Sequence, residues 1–283
     1  MASESPPMSR TRVILLTLLA MLAFAANSLL CRAALKHTAI DAASFTAIRI
    51  ASGAVSLWLI LRLRGGGLRP AGNWGSALAL FTYAAAFSFA YQSLTAATGA
   101  LLLFGAVQGT MIGVGLYRGE RFRGLQTVGL MCALGGLLGL LLPGLSAPPL
   151  QGALLMVAAG VGWGVYSLRG KGSGDPLRAT AGNFMRAVVF AVALGGAMLP
   201  WASLDLAGVG YAIASGAVAS GIGYAIWYTA LSGLKVTHAA TVQLSVPVIT
   251  AIGGVAMLGE PVSLRLVMAS AAILGGIALV IGR

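Results

Sequence analysis

Residues 119–136 read GERFRGLQTVGLMCALGG, and residues 259–276 read GEPVSLRLVMASAAILGG. Both stretches open on Gly-Glu, continue through one helix's worth of mainly apolar residues and close on Leu-Gly-Gly. The whole chain holds only six acidic residues, so two of them in matching contexts mark an internal duplication. The number of membrane crossings between the two marks decides whether the copies run parallel or inverted.

Composition settles the solvent. The chain is 58% hydrophobic and 8% charged, with a mean hydropathy of +0.92 and 40 glycines in 283 residues. A soluble protein of this length needs a far more polar surface, whereas a bilayer solvates Leu, Val and Ala directly. The formal net charge of +12 does not imply nucleic acid, because the basic residues are scattered between apolar runs without a patch or interleaved aromatics. Cys31 and Cys132 lie in apolar runs, outside any metal-ligand or redox spacing, and read as packed thiols. The basic N-terminus followed by an apolar run imitates a secretory signal. Arg32 directly after that run, and the need for the run in the duplication, point to a retained first span.

A hydrocarbon core about 30 Å thick takes about 20 apolar residues per helix. Ten runs qualify, at 13–31, 44–61, 74–94, 97–117, 125–142, 150–168, 179–200, 206–231, 238–258 and 262–282. None alternates with period two, which excludes a β-barrel. With the N-terminus in the cytoplasm, thirteen basic residues fall in inner segments (Arg10, Arg12, Arg62, Arg64, Arg69, Arg118, Arg121, Arg123, Arg169, Lys171, Arg178, Lys235 and Arg283). Three fall outside, namely Arg32, Lys36 and Arg265. That asymmetry obeys the positive-inside rule and depends on an even number of spans. Both termini are expected inside, in a multi-pass protein of a bacterial-type inner membrane.

Glu120 follows the fourth run and Glu260 the ninth. Five spans per half put the two loops on opposite sides, so the duplication is inverted, as in secondary transporters. Other marks are collinear with it: Phe24–Leu29 with Trp163–Leu168, Arg49 with Arg186, and Tyr91 with Tyr228. The expected organisation is a tail at 1–12, a first five-helix repeat at 13–142, an extracytoplasmic linker at 143–152 and an inverted second repeat at 153–283. Pro143, Pro148 and Pro149 mark the linker, since proline cannot continue a helix.

Two such halves, and the run THAATVQLSVPVITAIGGVAMLGEPVS at residues 237–263, resemble the EamA-type drug/metabolite transporter superfamily and, within it, bacterial amino-acid exporters. The resemblance covers all ten runs. It implies an all-α membrane protein of ten helices in two inverted repeats around a central cavity, exporting small metabolites without a cofactor. One departure is that Pro247 in the ninth run has Val107 as its counterpart, where the family often carries a second proline.

Transport needs polar or aromatic groups facing a cavity, because polar groups facing lipid are costly. Every carboxylate lies in the tail or in a connection, so no midplane Asp or Glu is expected to relay protons. The candidate substrate-binding residues are Asn27, Tyr83, Phe87, Gln108, Trp163, Tyr166, Tyr224, Trp227 and Gln243. Tyr83, Phe87 and Tyr91 repeat every four residues and share a helix face. An aromatic cage of this kind suits apolar or aromatic side chains and holds an ammonium through cation–π contacts. Trp58, Trp74 and Trp201, near run ends, fit the interfacial belt instead.

Arg49 and Arg186 are the charges expected within spans. They read either as groups that snorkel to the interface or pair with helix-end carbonyls, or as residues that anchor a gate or attract a substrate carboxylate. Pro247 is a candidate hinge. Glu120 and Glu260 are expected to cap the helix that each precedes, with a gating salt bridge as the alternative. The partners implied are a small zwitterion and the bilayer, with a monomer as working unit and a dimer left open. A membrane-embedded enzyme would need a cluster of nucleophile, base or metal ligands at one face, and the two isolated histidines supply none. A scaffold or receptor subunit would gain nothing evident from inverted repeats.

Overall fold

The computed structural model describes residues 8–65, 71–119, 121, 124–142, 144, 147–170, 175–231, 233, 234 and 236–281. Among them are helices and turns and no strand. The helices are α1 (Arg10–His37), α2 (Ala42–Leu63), α3 (Trp74–Tyr91), α4 (Ala96–Tyr117), α5 (Gly124–Leu141), α6 (Leu150–Gly170) and α7 (Pro176–Ala197). After a short 3₁₀ turn at Leu199–Trp201 come α8 (Leu206–Ile213), a π-helical stretch (Ala214–Ile222), α9 (Gly223–Leu231), α10 (Val236–Gln243), α11 (Ser245–Leu258) and α12 (Leu264–Ile281). Eight helical stretches are long and apolar enough to cross a membrane, with α8, the π-helical stretch and α9 forming one of them. The third expected run is α3, whose 18 residues are diluted by Trp74, Ser76, Thr82, Tyr83, Ser88 and Tyr91.

The ninth expected run departs from a single helix. It divides at Leu244 into α10, of 8 residues, and α11, of 14. Pro247 causes the break. Its ring nitrogen carries no hydrogen, and the ring clashes with the carbonyl four residues earlier, here Gln243, which is the last residue of α10. The eighth run stays continuous but widens into the π-helix, a register change common at functional sites.

The helices pair in a two-fold pattern. α5 packs on α12, α2 on α7, and α4 on α11. The contacts of α3 with α6 are matched by those of α9 and the π-helical stretch with α1. Likewise α4 with α6 is matched by α11 with α1. Exchanging α1–α5 for α6–α12 carries these pairs onto one another. The Leu-Gly-Gly ends of the two opening stretches lie at the α5–α12 crossing. A Cβ on Gly136 would meet Ala272 and Ile273, and one on Gly276 would meet the Gly129 carbonyl. Gly160 and Gly164 let α6 lie directly against α4, at Ala106 and Thr110, whereas Gly109, Gly113, Gly135 and Gly139 face open space. The outer flanks of α5 and α12 expose Leu125, Met131, Leu138, Leu264 and Met268, as a lipid-facing surface does.

Helix starts follow side-chain capping chemistry. Ser9, Asp41, Asn73, Thr95 and Asp175 each accept a backbone N–H of the following turn. Asp41 does more: its Oδ1 accepts from Ala43 and Ser44, while its Oδ2 accepts from the Ser203 N–H at 2.9 Å. It therefore ties the start of α2 to the turn before α8. Partial burial pushes its carboxyl up, but the hydrogen bonds from Ser44, Ser203 and Ala43 outweigh that and hold it below the ordinary carboxylate range. The stability it contributes is thus complete above its unfolded-state pKa and is lost as pH falls through the lowered folded value. Asp41→Ala is expected to cost about 1 kcal/mol at neutral pH. In thermal melts from pH 7 to pH 3, the gap between wild type and variant should close at the acid end; a gap unchanged at pH 3 would refute the assignment.

Candidate functional site

Where α1, α3, α4, α6 and the eighth span converge, a cavity of about 20 Å³ remains, lined by Phe24, Asn27, Ser28, Tyr83, Phe87, Leu103, Phe104, Trp163, Ala219, Ser220 and Tyr224. That is room for about one water molecule, far below what a metabolite needs. Rings fill the rest. Trp163 lies with ring centroids 5.0 Å from Tyr83, 5.2 Å from Tyr224 and 5.4 Å from Tyr166. Phe24 meets Tyr224 and Trp227 edge-on at 5.8 Å, and Phe87 lies 5.4 Å from Tyr83. Such pairs gain about 0.5–1.5 kcal/mol each beyond area burial, so the cage is closed by its own walls. Phe24 on α1 and Trp163 on α6, matched in the sequence duplication, both line it and both pack on Tyr224.

A polar chain runs behind the rings. Ser215 Oγ donates to Asn27 Oδ1 at 2.6 Å, and Asn27 Nδ2 donates to the Tyr83 hydroxyl at 3.1 Å. Arg49 Nη2 donates to the same hydroxyl at 2.9 Å. The Arg49 guanidinium also lies 5.1 Å from the Tyr83 ring centroid and 4.8 Å from that of Phe87. Arg49 is 2% exposed, so snorkelling does not describe it. Its place is fixed by backbone packing: a Cβ on Gly216, in the π-helical stretch, would run into the Arg49 carbonyl and Ser52 Oγ. Arg186 behaves differently. It is partly buried, and its Nη1 donates at 2.9 Å to the carbonyls of Ala71, in the connection before α3, and of Gly182, one turn earlier on α7.

The structure gathers Asn27, Tyr83, Phe87, Trp163 and Tyr224 at the cavity and leaves the other four candidates off its wall. Tyr166 is buried one layer away, donating to Thr180 Oγ1, which donates onward to the Tyr228 hydroxyl. Trp227 backs Phe24. Gln108 is buried on α4 at 4% exposure without touching the cavity. Gln243 ends α10, its Nε2 donating to the Ala239 carbonyl. The amides thus serve helix surroundings, since a long polar side chain finds partners on its own or neighbouring helices. Trp74 and Trp201 are exposed near helix ends, as belt residues are, and Trp58 stacks under Arg62 at 4.9 Å.

Glu260 corrects its expectation. It does not cap α12, the next helix. It reaches across the bundle, where Oε2 accepts the Ala96 N–H at 2.7 Å at the start of α4 and Oε1 accepts Arg32 Nε at 2.8 Å. Gly259, at φ +60°, turns the chain so that this is sterically feasible. Arg265, its sequence neighbour, turns away to the Leu142 carbonyl. Arg32 Nη1 adds bonds to the carbonyls of Tyr91 and Gln92, and Lys36 Nζ donates to the Leu258 carbonyl. One knot therefore joins α1, α3, α4 and α11 at one end of the bundle. Glu120 lies outside the described residues. The sequence marks Arg32 only as a topology residue and gives no sign of Ser215 in the π-helical stretch. Ser220 lined up with the aromatic stripe of the eighth run, but serines in so small-residue-rich a helix give little signal.

An apolar bundle of membrane-crossing helices, packed two-fold around a central aromatic cage, has the architecture of a small-molecule transporter. The comparisons agree. The profile of the EamA-like transporter family matches residues 150–282. A protein of Pseudomonas aeruginosa, the uncharacterized protein PA1977, is 60% identical over 271 residues, which span 95% of this chain and 94% of that one. A crystal structure of a protein 21% identical superposes with a TM-score of 0.68 over 96% of this chain and 98% of its own, and that likeness concerns the fold. Residues 150–282 form an EamA-like transporter family domain, and the chain is a multi-pass membrane protein.

Proposed function

We propose that this protein exports small zwitterionic metabolites, amino acids with aromatic side chains among them, by alternating access of two inverted five-helix halves in an inner membrane. Both termini face the cytoplasm in this reading, as the basic residues require. The observation that carries it is the cage of Phe24, Tyr83, Phe87, Trp163 and Tyr224 between the two halves. Ring faces accept an aromatic or apolar side chain, and they attract an ammonium. Whole-chain coverage and short loops also resemble the bacterial amino-acid exporter YddG.

Coupling to protons has no carboxylate in the cage wall to use. Glu260 is engaged by Arg32 and Ala96, Asp41 and Asp175 cap helices, and Asp205, whose buried Oδ1 has no hydrogen-bond partner, stands before α8 and off the cavity wall. The expected mode is movement down the substrate gradient. The alternative of lipophilic-cation efflux is opposed by the buried Arg49 guanidinium against the cage wall, which repels a second cation.

The test is uptake into proteoliposomes with labelled amino acids, sugars and organic cations, with and without a pH gradient. Saturable amino-acid uptake unaffected by the gradient is the expected result. Transport of none of the amino acids would overturn the substrate class, and substrate-dependent proton movement would overturn the mode.

A further inference from the structure

We infer that Arg49 is the substrate's anion receptor, so that the transported molecules are small carboxylates with an apolar or aromatic body, in which an ammonium group is tolerated rather than required. The inference rests on the proposed transport site and assigns its charge selectivity.

Three observations carry it. First, Arg49 is buried on α2, and its Nη1 has no hydrogen-bond partner. The ion pairs among the described residues, Arg32–Glu260 and Arg178–Asp175, do not involve it. A buried guanidinium without an anion is costly. The rings of Tyr83 and Phe87 and one hydroxyl offset that cost in part, and leave one edge of the planar fork unused. Second, the groups that hold Arg49 are themselves cavity walls: Tyr83 and Phe87 both line it, and the hydroxyl that Nη2 grips is shared with Asn27. A guanidinium one side chain behind the wall, held by a bond that a stronger acceptor can replace, is placed to take a carboxylate. A carboxylate accepts two parallel N–H bonds from arginine and binds it more strongly than a phenol does. Third, Ser220 lines the same cavity with a buried Oγ that also lacks a partner, a second polar group left for a guest. Its setting is the π-helical stretch that presses on Arg49 through Gly216.

The repeat-mate sharpens the contrast. Arg186 occupies the equivalent place in the second half, and there Nη1 donates to two backbone carbonyls. One arginine of the pair is anchored, and the other is held in reserve. No wall residue of the cavity is acidic, so a substrate ammonium meets ring faces alone. Loss of the ammonium should therefore matter far less than loss of the carboxylate.

The purified protein, in detergent, is assayed by ligand-induced thermal shift with four related probes: phenylalanine, 3-phenylpropanoate, phenethylamine and phenylalaninamide. The same probes then compete for labelled phenylalanine uptake in proteoliposomes. The expected result is binding by both carboxylates, with the amine and the amide weaker by roughly 10- to 100-fold, the worth of one charge-assisted hydrogen bond pair. In Arg49→Gln, carboxylate binding falls by a similar factor and the preference over the amide disappears. Arg49→Lys keeps the charge but not the fork, retains the preference and weakens it about tenfold; it carries the test if the glutamine variant does not fold. Equal binding of amine and carboxylate by the wild type, unchanged carboxylate binding by Arg49→Gln or by Arg49→Lys, or no binding by any carboxylate overturns the inference. Phenylalanine uptake persisting in those cases would leave the transport reading standing. Carboxylate binding that depends on Arg49 without amino-acid uptake would overturn that reading and support this one.

Discussion

Glu260→Ala lowers the thermal midpoint of the detergent-purified protein by on the order of 10 °C. The figure follows from what the carboxylate holds. Its side chain is 4% exposed and makes a 2.8 Å ion pair with Arg32, whose own side chain is 11% exposed. Its second oxygen accepts the Ala96 N–H, one of the unsatisfied donors at the start of α4. Removing one partner of a buried pair strands the other and costs about 3–5 kcal/mol. For a chain of this size each kcal/mol moves the midpoint by a few degrees. Glu260→Gln keeps an oxygen for Ala96 and loses the charge opposite Arg32, so its midpoint should fall between wild type and alanine. Arg32→Met also loses the bonds to the Tyr91 and Gln92 carbonyls. The double variant should be less destabilised than the sum of Glu260→Ala and Arg32→Met, by about 0.5–3 kcal/mol of coupling. Strict additivity would mean that the pair is incidental and that packing alone closes this end of the bundle.

The knot also bears on transport. It joins α1 and α3 to α11, so the alternating access proposed above would have to break it or swing its members together to open the cavity toward this end. Glu260→Gln weakens it without unfolding α4, which makes it the variant in which to look for a changed balance between the two facings.

How much of this was legible beforehand differs between fold and site. Helix count and repeat come from patterns that involve many residues: apolar runs, basic loops, and marks at matched places. The Leu-Gly-Gly marks proved to be crossing points because only a residue without a Cβ lets the two backbones meet at Gly129, Gly136 and Gly276. Pro247 announced an interruption, and its chemistry fixes where that falls, at the carbonyl of Gln243. The site was legible where spacing fixes a helix face, as for Tyr83 and Phe87, and where the duplication pairs Phe24 with Trp163. It was illegible where a side chain chooses among partners from distant segments. Glu260 is near α12 in sequence yet bonds Arg32 and Ala96, and Arg49 and Arg186 look alike in sequence while one finds carbonyls and the other finds rings. Gln243 lies off the cavity wall for the same reason, since its amide meets the Ala239 carbonyl on its own helix. The π-helical widening has no sequence signature beyond small residues.

Trp163→Ala should abolish most transport, reducing the initial uptake rate by roughly 100-fold. The indole is the meeting point of the cage, within ring-contact distance of Tyr83, Tyr166 and Tyr224. Its removal takes away three aromatic contacts and a ring face that would stack on a substrate. If stacking and side-chain burial contribute about 1–3 kcal/mol to holding the substrate, occupancy alone accounts for a factor of 10 to 100. A wall that collapses into the vacated space, closing a cavity of about 20 Å³ further, accounts for the rest. Aromatic-to-alanine changes in packed surroundings also cost about 3–5 kcal/mol of stability, so the loss of transport needs a control for folding. Trp163→Phe supplies one, because it keeps a ring face at lower volume and should retain about a tenth or more of the uptake. Trp58→Ala supplies another, because that indole stacks under Arg62 at 4.9 Å near the end of α2, away from the cage, and should leave uptake within about twofold. Rates normalised to folded protein in proteoliposomes decide it. If Trp163→Ala and Trp58→Ala lower uptake equally, the aromatic cluster is ordinary packing, and the transport path must be sought along another face of the bundle.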